Sequence, residues 1–137
     1  MQNYKVSIAY DGSSFYGFQK QKSRPTVQGK IEEVLDLLIK DYELNYSGRT
    51  DAGVHAKEQV LNILTDIKIT EKLIFSIDKL LGNSISVNSF TPVPTSLSFN
   101  ADGTRLYVMG SSADRIFTFN LTDPFDLNFA ASSDVTY

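Results

Sequence analysis

Near the start of the chain Tyr4, Val6, Ile8 and Tyr10 alternate with Lys5, Ser7 and Ala9. A period of two lines one sheet face with apolar side chains, so this segment reads as a strand. Asp11-Gly12-Ser13-Ser14 ends it with turn chemistry, and a loop rich in aromatics and amides follows, with Phe15, Tyr16, Phe18, Gln19 and Gln21. The period then changes. Val27, Ile31, Val34, Leu35 and Leu38 recur at helical spacing behind Thr26, which reads as an N-cap, and the helix is expected to stop near Lys40. A short strand around Glu43 to Ser47 leads into the polar, glycine-rich Gly48-Arg49-Thr50-Asp51-Ala52-Gly53, and a second strand runs from about Lys57 to Leu64. Thr70 caps another helix with Leu73, Ile74, Ile77, Leu80 and Leu81 on one face and Gly82 as its stop; Ile85 and Val87 begin a further strand. The order β-α-β-β-α-β is that of the ferredoxin-like unit, an antiparallel sheet with both helices on one face, expected to close by about Val93.

From Ser96 onward the pattern is different. Ser96 to Phe99, Arg105 to Gly110, Arg115 to Leu121 and Asp126 to Ala131 are short strand candidates separated by turn-forming residues such as Asn100-Ala101-Asp102-Gly103. Spacing of about ten residues with Asp-Gly turns predicts a four-stranded antiparallel meander. The fold class is therefore α+β, with a ferredoxin-like region over residues 1–93, a β-meander over 94–137, and a linker expected at Thr91-Pro92-Val93-Pro94-Thr95.

Charge supports the same boundary. Up to Asn88, nine Lys and two Arg balance eleven acidic residues; the remaining 49 residues hold Arg105, Arg115, five Asp and no Lys, so the whole net charge of −3 lies there. An acidic balance argues mildly against nucleic-acid binding, whose affinity comes largely from Lys and Arg. Zero cysteines exclude disulfides and thiolate catalysis, and one histidine disfavours a structural zinc site, so no metal is expected. No apolar run approaches the roughly 20 residues needed to span a bilayer, and the N-terminal residues do not read as a signal core. A soluble cytoplasmic protein without a membrane partner is the expectation.

The stretch Gly48 to Ala56 carries the most chemistry. Arg49 and Asp51 stand two residues apart between glycines that let a ligand approach the backbone, which suits an anion held ready beside a phosphate or base. By spacing alone a solvated Arg-Asp turn is the commoner outcome. The Tyr16-Gly17-Phe18-Gln19 loop suits stacking and hydrogen bonding with unpaired bases, or equally local packing at a strand end.

Taken together, Tyr10-Asp11-Gly12-Ser13-Ser14-Phe15-Tyr16-Gly17-Phe18-Gln19-Lys20-Gln21, then Thr26-Val27-Gln28-Gly29, then Gly48-Arg49-Thr50-Asp51-Ala52-Gly53-Val54-His55-Ala56 resemble three ordered signatures of the tRNA pseudouridine synthases that act on the anticodon arm. The resemblance implies Asp51 as the catalytic aspartate attacking the target uridine. It implies Arg49 as the group that helps extrude that uridine, at an unstacking cost of a few kcal/mol. Phe18 and Gln19 would contact substrate, Phe18 standing where the family commonly has Trp. No cofactor is implied, and tRNA is the implied partner. Arg49 near Asp51 would favour the ionised carboxylate that a nucleophile needs, whereas His55 reads as structural.

The family's second half, with its base-contacting Tyr, is not recognisable here. The segment from Pro94 to Ala131 instead resembles one β-propeller blade, which points to a chimera, engineered or natural. Arg105-Leu106-Tyr107 imitates the spacing around that Tyr, so Tyr107 is either the substrate-contacting Tyr or a blade-strand residue, the latter favoured. Two functions follow: a uridine isomerase that binds tRNA weakly and is largely inactive as this chain, or a non-catalytic interaction protein in which Asp51 and Arg49 are idle. The uncovered sheet face of the first region would be solvated, covered by the meander, or paired in a homodimer.

Overall fold

The computed structural model describes residues 2–93, 96–109, 116–121, 124 and 130–136, and the chain divides into two compact units between Thr91 and Pro92. In the first, β1 (Gln2–Tyr10), a 3₁₀ turn (Gly12–Ser14), α1 (Val27–Leu38), β2 (Tyr42–Tyr46), β3 (Ala56–Thr65), α2 (Glu71–Leu81) and β4 (Ile85–Pro92) follow one another. The sheet order is β2-β3-β1-β4. Each helix carries the chain back along the sheet, so β2 runs in the direction of β1; the β2-β3 hairpin then sets β3 against β1, giving the antiparallel ferredoxin-like sheet.

Side-chain hydroxyls set where the helices begin. Thr26 Oγ1 accepts the Gly29 amide at 3.2 Å, and Thr70 Oγ1 accepts the Leu73 amide at 3.3 Å, each satisfying an amide that lacks a helical partner. Val27, Ile31, Val34 and Leu35 of α1 and Ile77 and Leu81 of α2 pack in one buried cluster with Tyr4, Val6, Ile8, Leu61, Ile63 and Ile85 of the sheet. Tyr4 is buried to its hydroxyl, which accepts the Ile69 amide at 3.0 Å. One expected member of the α2 stripe falls outside: Leu80 is 45% exposed, because it lies on the flank of the stripe away from the buried Ile77 and Leu81.

The opposite sheet face mixes polar residues with Ala9, Val60 and Leu64. There Ser7 Oγ donates to Glu58 Oε1 at 3.3 Å, and Asn62 bonds Asn3. β4 continues through Thr91 and Pro92, where a linker was expected. It is an edge strand of its sheet, and a terminal proline at an edge removes no ladder bond that the sheet requires. Pro94 and Thr95 lie outside the described residues.

The second unit is an antiparallel meander of β5 (Ser96–Phe99), β6 (Arg105–Met109), β7 (Ile116–Leu121) and β8 (Ala130–Thr136), in that spatial order. The β5-β6 turn is a hydrogen-bonded unit. Asp102 Oδ1 accepts the Thr104 amide at 3.0 Å and its hydroxyl at 2.5 Å, and these bonds hold the Asp102 carboxyl below its ordinary pKa; Gly103 takes φ +73°. The last strand departs from the sequence expectation of Asp126 to Ala131. β8 begins at Ala130 and pairs Asp134 with Thr118 and Ser133 with Phe119, a ladder made by backbone groups through small polar residues that apolar alternation does not reveal. Residues 125–129 and the expected turn at Ser111 to Asp114 lie outside the described residues. Among the described residues no helix is long and apolar enough to cross a membrane.

The contrast between two neighbouring leucines tests this packing. Leu35 is 0% and Leu37 71% exposed. Leu35→Ala is expected to lower unfolding free energy by about 2–5 kcal/mol, and Leu37→Ala to change it by no more than about 0.5 kcal/mol, measured by denaturant titration.

Candidate functional site

Two loops meet at one end of the first sheet, Asp11 to Pro25 after β1 and Ser47 to His55 between β2 and β3. They are stapled by short bonds. Tyr10 Oη and Thr50 Oγ1 lie 2.7 Å apart, the Phe18 amide donates to the Thr50 carbonyl at 3.0 Å, and the Gly53 amide donates to the Phe15 carbonyl at 3.2 Å. On the far side of the turn, Gly12 donates its amide to His55 Nδ1 at 3.0 Å. His55 Nδ1 is also 3.0 Å from Asp11 Oδ1; Nδ1 accepts from Gly12 when it carries no hydrogen and would donate to Asp11 when it does, so the two uses exclude each other. Hydrogen bonds from the Ser13 hydroxyl and amide, with His55 contributing less, hold the Asp11 carboxyl below its ordinary pKa.

The loops approach so closely that side chains are excluded at two places. A Cβ on Gly12 would sit 1.9 Å from the Val54 carbonyl oxygen, and Gly17 has φ +91° with the Thr50 carbonyl oxygen 3.0 Å from where its Cβ would be.

Between the loops lies a cavity of about 470 Å³, lined by Tyr16, Gln19, Gln21, Arg24, Arg49 and Asp51, with Gly17, Phe18, Thr50 and Ala52. The geometry brings Asp51, Arg49, Gln19 and Phe18 to one place. Arg49 Nη1 donates to Gln19 Oε1 at 2.8 Å. It makes no ion pair with Asp51, and the exposed Asp51 carboxylate has no hydrogen bond or ion pair with any described residue. Phe18 is 0% exposed: its ring is spent in the core, 4.8 Å from the Tyr46 ring and 6.2 Å from the Tyr10 ring, centre to centre. Tyr16 presents an aromatic face instead, 48% exposed, with the Arg24 guanidinium carbon 4.8 Å from its ring centre. Tyr107 belongs to the second unit, on β6 opposite Ser98 and Thr118.

A carboxylate without an internal partner, a guanidinium held by an amide and an exposed aromatic ring suit a nucleotide in an unpaired strand. The N-terminal part of the chain is similar to tRNA pseudouridine synthase A. The protein of that name from Caldicellulosiruptor saccharolyticus is 43% identical over 103 residues, covering 74% of this chain and 41% of the relative. Those from Leptospira biflexa and Dictyoglomus thermophilum are 40% and 51% identical over 100 and 81 residues, covering 69% and 58% of this chain and 38% and 31% of the relatives. The chain thus spans about two-fifths or less of the length of these relatives. No family model matches the chain.

Reasoning from sequence overlooked Tyr16 and Arg24 as a pair. One signal was available: Arg24 and Arg49 are the only arginines in the first 88 residues, and both line the cavity, whereas none of the nine lysines there does. Arginine stacks on rings and forks onto phosphates in ways that lysine does not.

The loop staple has a direct test. Gly12→Ala is expected to cost about 1–3 kcal/mol, because backbone must move to admit the methyl group. Gly17→Ala should cost about 1–2 kcal/mol through its left-handed backbone. At Gly48 a Cβ would meet only Gln59 Nε2, at 3.8 Å, so Gly48→Ala should stay within about 1 kcal/mol in thermal or denaturant unfolding.

Proposed function

We propose that the first unit carries the nucleophile side of a site that converts uridine to pseudouridine in tRNA, with Asp51 as nucleophile. The observation that carries this reading is the convergence of Asp51, Arg49 and Gln19 on one cavity, in a chain whose relatives are named tRNA pseudouridine synthase A. Asp51 would attack the extruded uridine, the bond from sugar carbon to base nitrogen would break, and the base would rejoin through carbon-5. That carbon gives up its proton, the freed nitrogen takes one up, and the carboxylate is regenerated, so the reaction is an isomerisation that consumes no second substrate. Arg49, oriented by Gln19, would occupy the space the extruded base leaves or hold its phosphate.

This chain by itself is expected to turn over poorly. The Asp51 carboxylate stands exposed with no described residue bonded to it, and an attack of this kind gains from a closed, desolvated site. The second unit, proposed as a blade-like meander of separate ancestry, supplies three negative charges net and no lysine. Tyr107 there is favoured as a blade-strand residue, with a substrate contact as the alternative.

The test uses the whole chain and unmodified tRNA. Binding is expected to be weak and to fall steeply with salt, and Arg49→Ala should reduce the slope of log affinity against log salt by about one. Release of tritium from carbon-5 of labelled uridine should stay close to background. Strong turnover lost in Asp51→Ala would show that the catalytic set is complete. A folded chain with no affinity for tRNA at low salt would refute the tRNA reading and leave the non-catalytic interaction protein in its place.

A further inference from the structure

The cavity holds more recognition chemistry than the reacting uridine requires. We propose that Tyr16 and Arg24 form a subsite for the nucleotide next to the reacting one, its base stacked on Tyr16 and its phosphate met by Arg24. The assignment rests on the reading of Asp51 and Arg49 given above and adds a second contact point on the same strand.

Tyr16 is held as a platform would be. Its amide donates to the Pro25 carbonyl at 2.8 Å and its carbonyl accepts from Gln21 Nε2 at 2.8 Å, so the backbone is fixed on both sides while the ring stays half exposed. Large rings anchored this firmly in a small domain ordinarily turn inward, as Phe18 does two residues later. Arg24 lies over the Tyr16 ring and has no carboxylate partner among the described residues. A guanidinium kept on an aromatic face, with its fork of donors free, combines a stacking surface with a phosphate ligand. Across the same cavity Arg49 is also without an acidic partner among the described residues, so two unneutralised guanidinium groups face one carboxylate in a unit whose overall charge is balanced. Two cations on one cavity match two successive phosphates of a strand better than the single phosphate of a free nucleotide. The volume, about 470 Å³, lies in the range of roughly 300–1,000 Å³ usual for bound small ligands.

The experiment measures binding of the full chain, at low salt, to a fluorescent single-stranded RNA of five nucleotides with uridine at its centre. The same strand is then tested with abasic residues flanking that uridine, and with cytidine replacing it. The wild-type chain should lose affinity on the order of tenfold for the abasic strand, the usual contribution of one stacked base. Tyr16→Ala should weaken the intact strand to a similar degree and leave the abasic strand unaffected, while Tyr16→Phe retains full discrimination. Arg24→Lys keeps the charge and loses the fork onto phosphate, which abasic residues retain, so it should weaken both strands to a similar degree and leave the discrimination between them unchanged. Equal affinity of wild type for intact and abasic strands, or a Tyr16→Ala loss of the same size on both, overturns the subsite. Discrimination at the flanking base without preference for central uridine over cytidine would uphold the subsite and count against the uridine-isomerising reading. A folded chain that binds neither strand overturns both.

Discussion

The Thr50 residue does two things at once: its hydroxyl meets Tyr10 Oη at the end of β1, and its carbonyl receives the Phe18 amide. Between these bonds lies the polar loop that carries Arg49 and Asp51, which has no buried side chain of its own to fix it. Glycine-rich polar segments ordinarily fluctuate, because each ordered residue loses about 1–2 kcal/mol of backbone entropy with little burial to offset it. Here the second loop supplies the missing constraint. Phe18 inserts completely into the core, and the backbone on either side of its ring is thereby set against the Asp51 loop at hydrogen-bonding distance.

That arrangement separates anchoring from recognition along one short stretch of chain. Phe18 faces inward and fixes position; Tyr16 and Gln19 face the cavity and present a ring and an amide. The electrostatic pattern is equally divided. The lysines lie away from the cavity, where Lys20 pairs with Glu32 and Lys30 with Glu33, while Arg24 and Arg49 line it without acidic partners among the described residues. A neutral unit can in this way present a local excess of positive charge to a phosphodiester strand, which a net-charge argument averages away.

Much of this was legible in the chain itself. The periods of two and 3.6, with Thr26 and Thr70 as caps, locate the elements of the first sheet because burial and capping act within a few residues. The three motifs around Phe18, Thr26 and Asp51 indicate which loops matter. Other features depend on contacts between distant residues. Whether Phe18 stacks outward or packs inward is decided by Tyr10 and Tyr46, and the Arg49 partner proves to be Gln19, 30 residues away, rather than Asp51. Arg24 reads as one more charge in a polar loop until the fold brings it over Tyr16. β8 runs past the expected end at Ala131 because its pairing with β7 is made by main-chain groups of Ser132, Ser133 and Asp134, which carry no apolar signal.

The central claim is that the Asp51 loop is held in place before any ligand arrives, by its bonds to the first loop. Native-state hydrogen exchange of the amides of Phe18, Gly53 and Gly12 measures this directly, since each donates across the junction of the two loops. Exchange of these three amides should be slowed to nearly the degree seen for Leu35 and Ile63 in the core, through the same cooperative opening. Exchange at the rate of an unstructured peptide, beside a protected core, would show that the two loops move independently and would contradict the account.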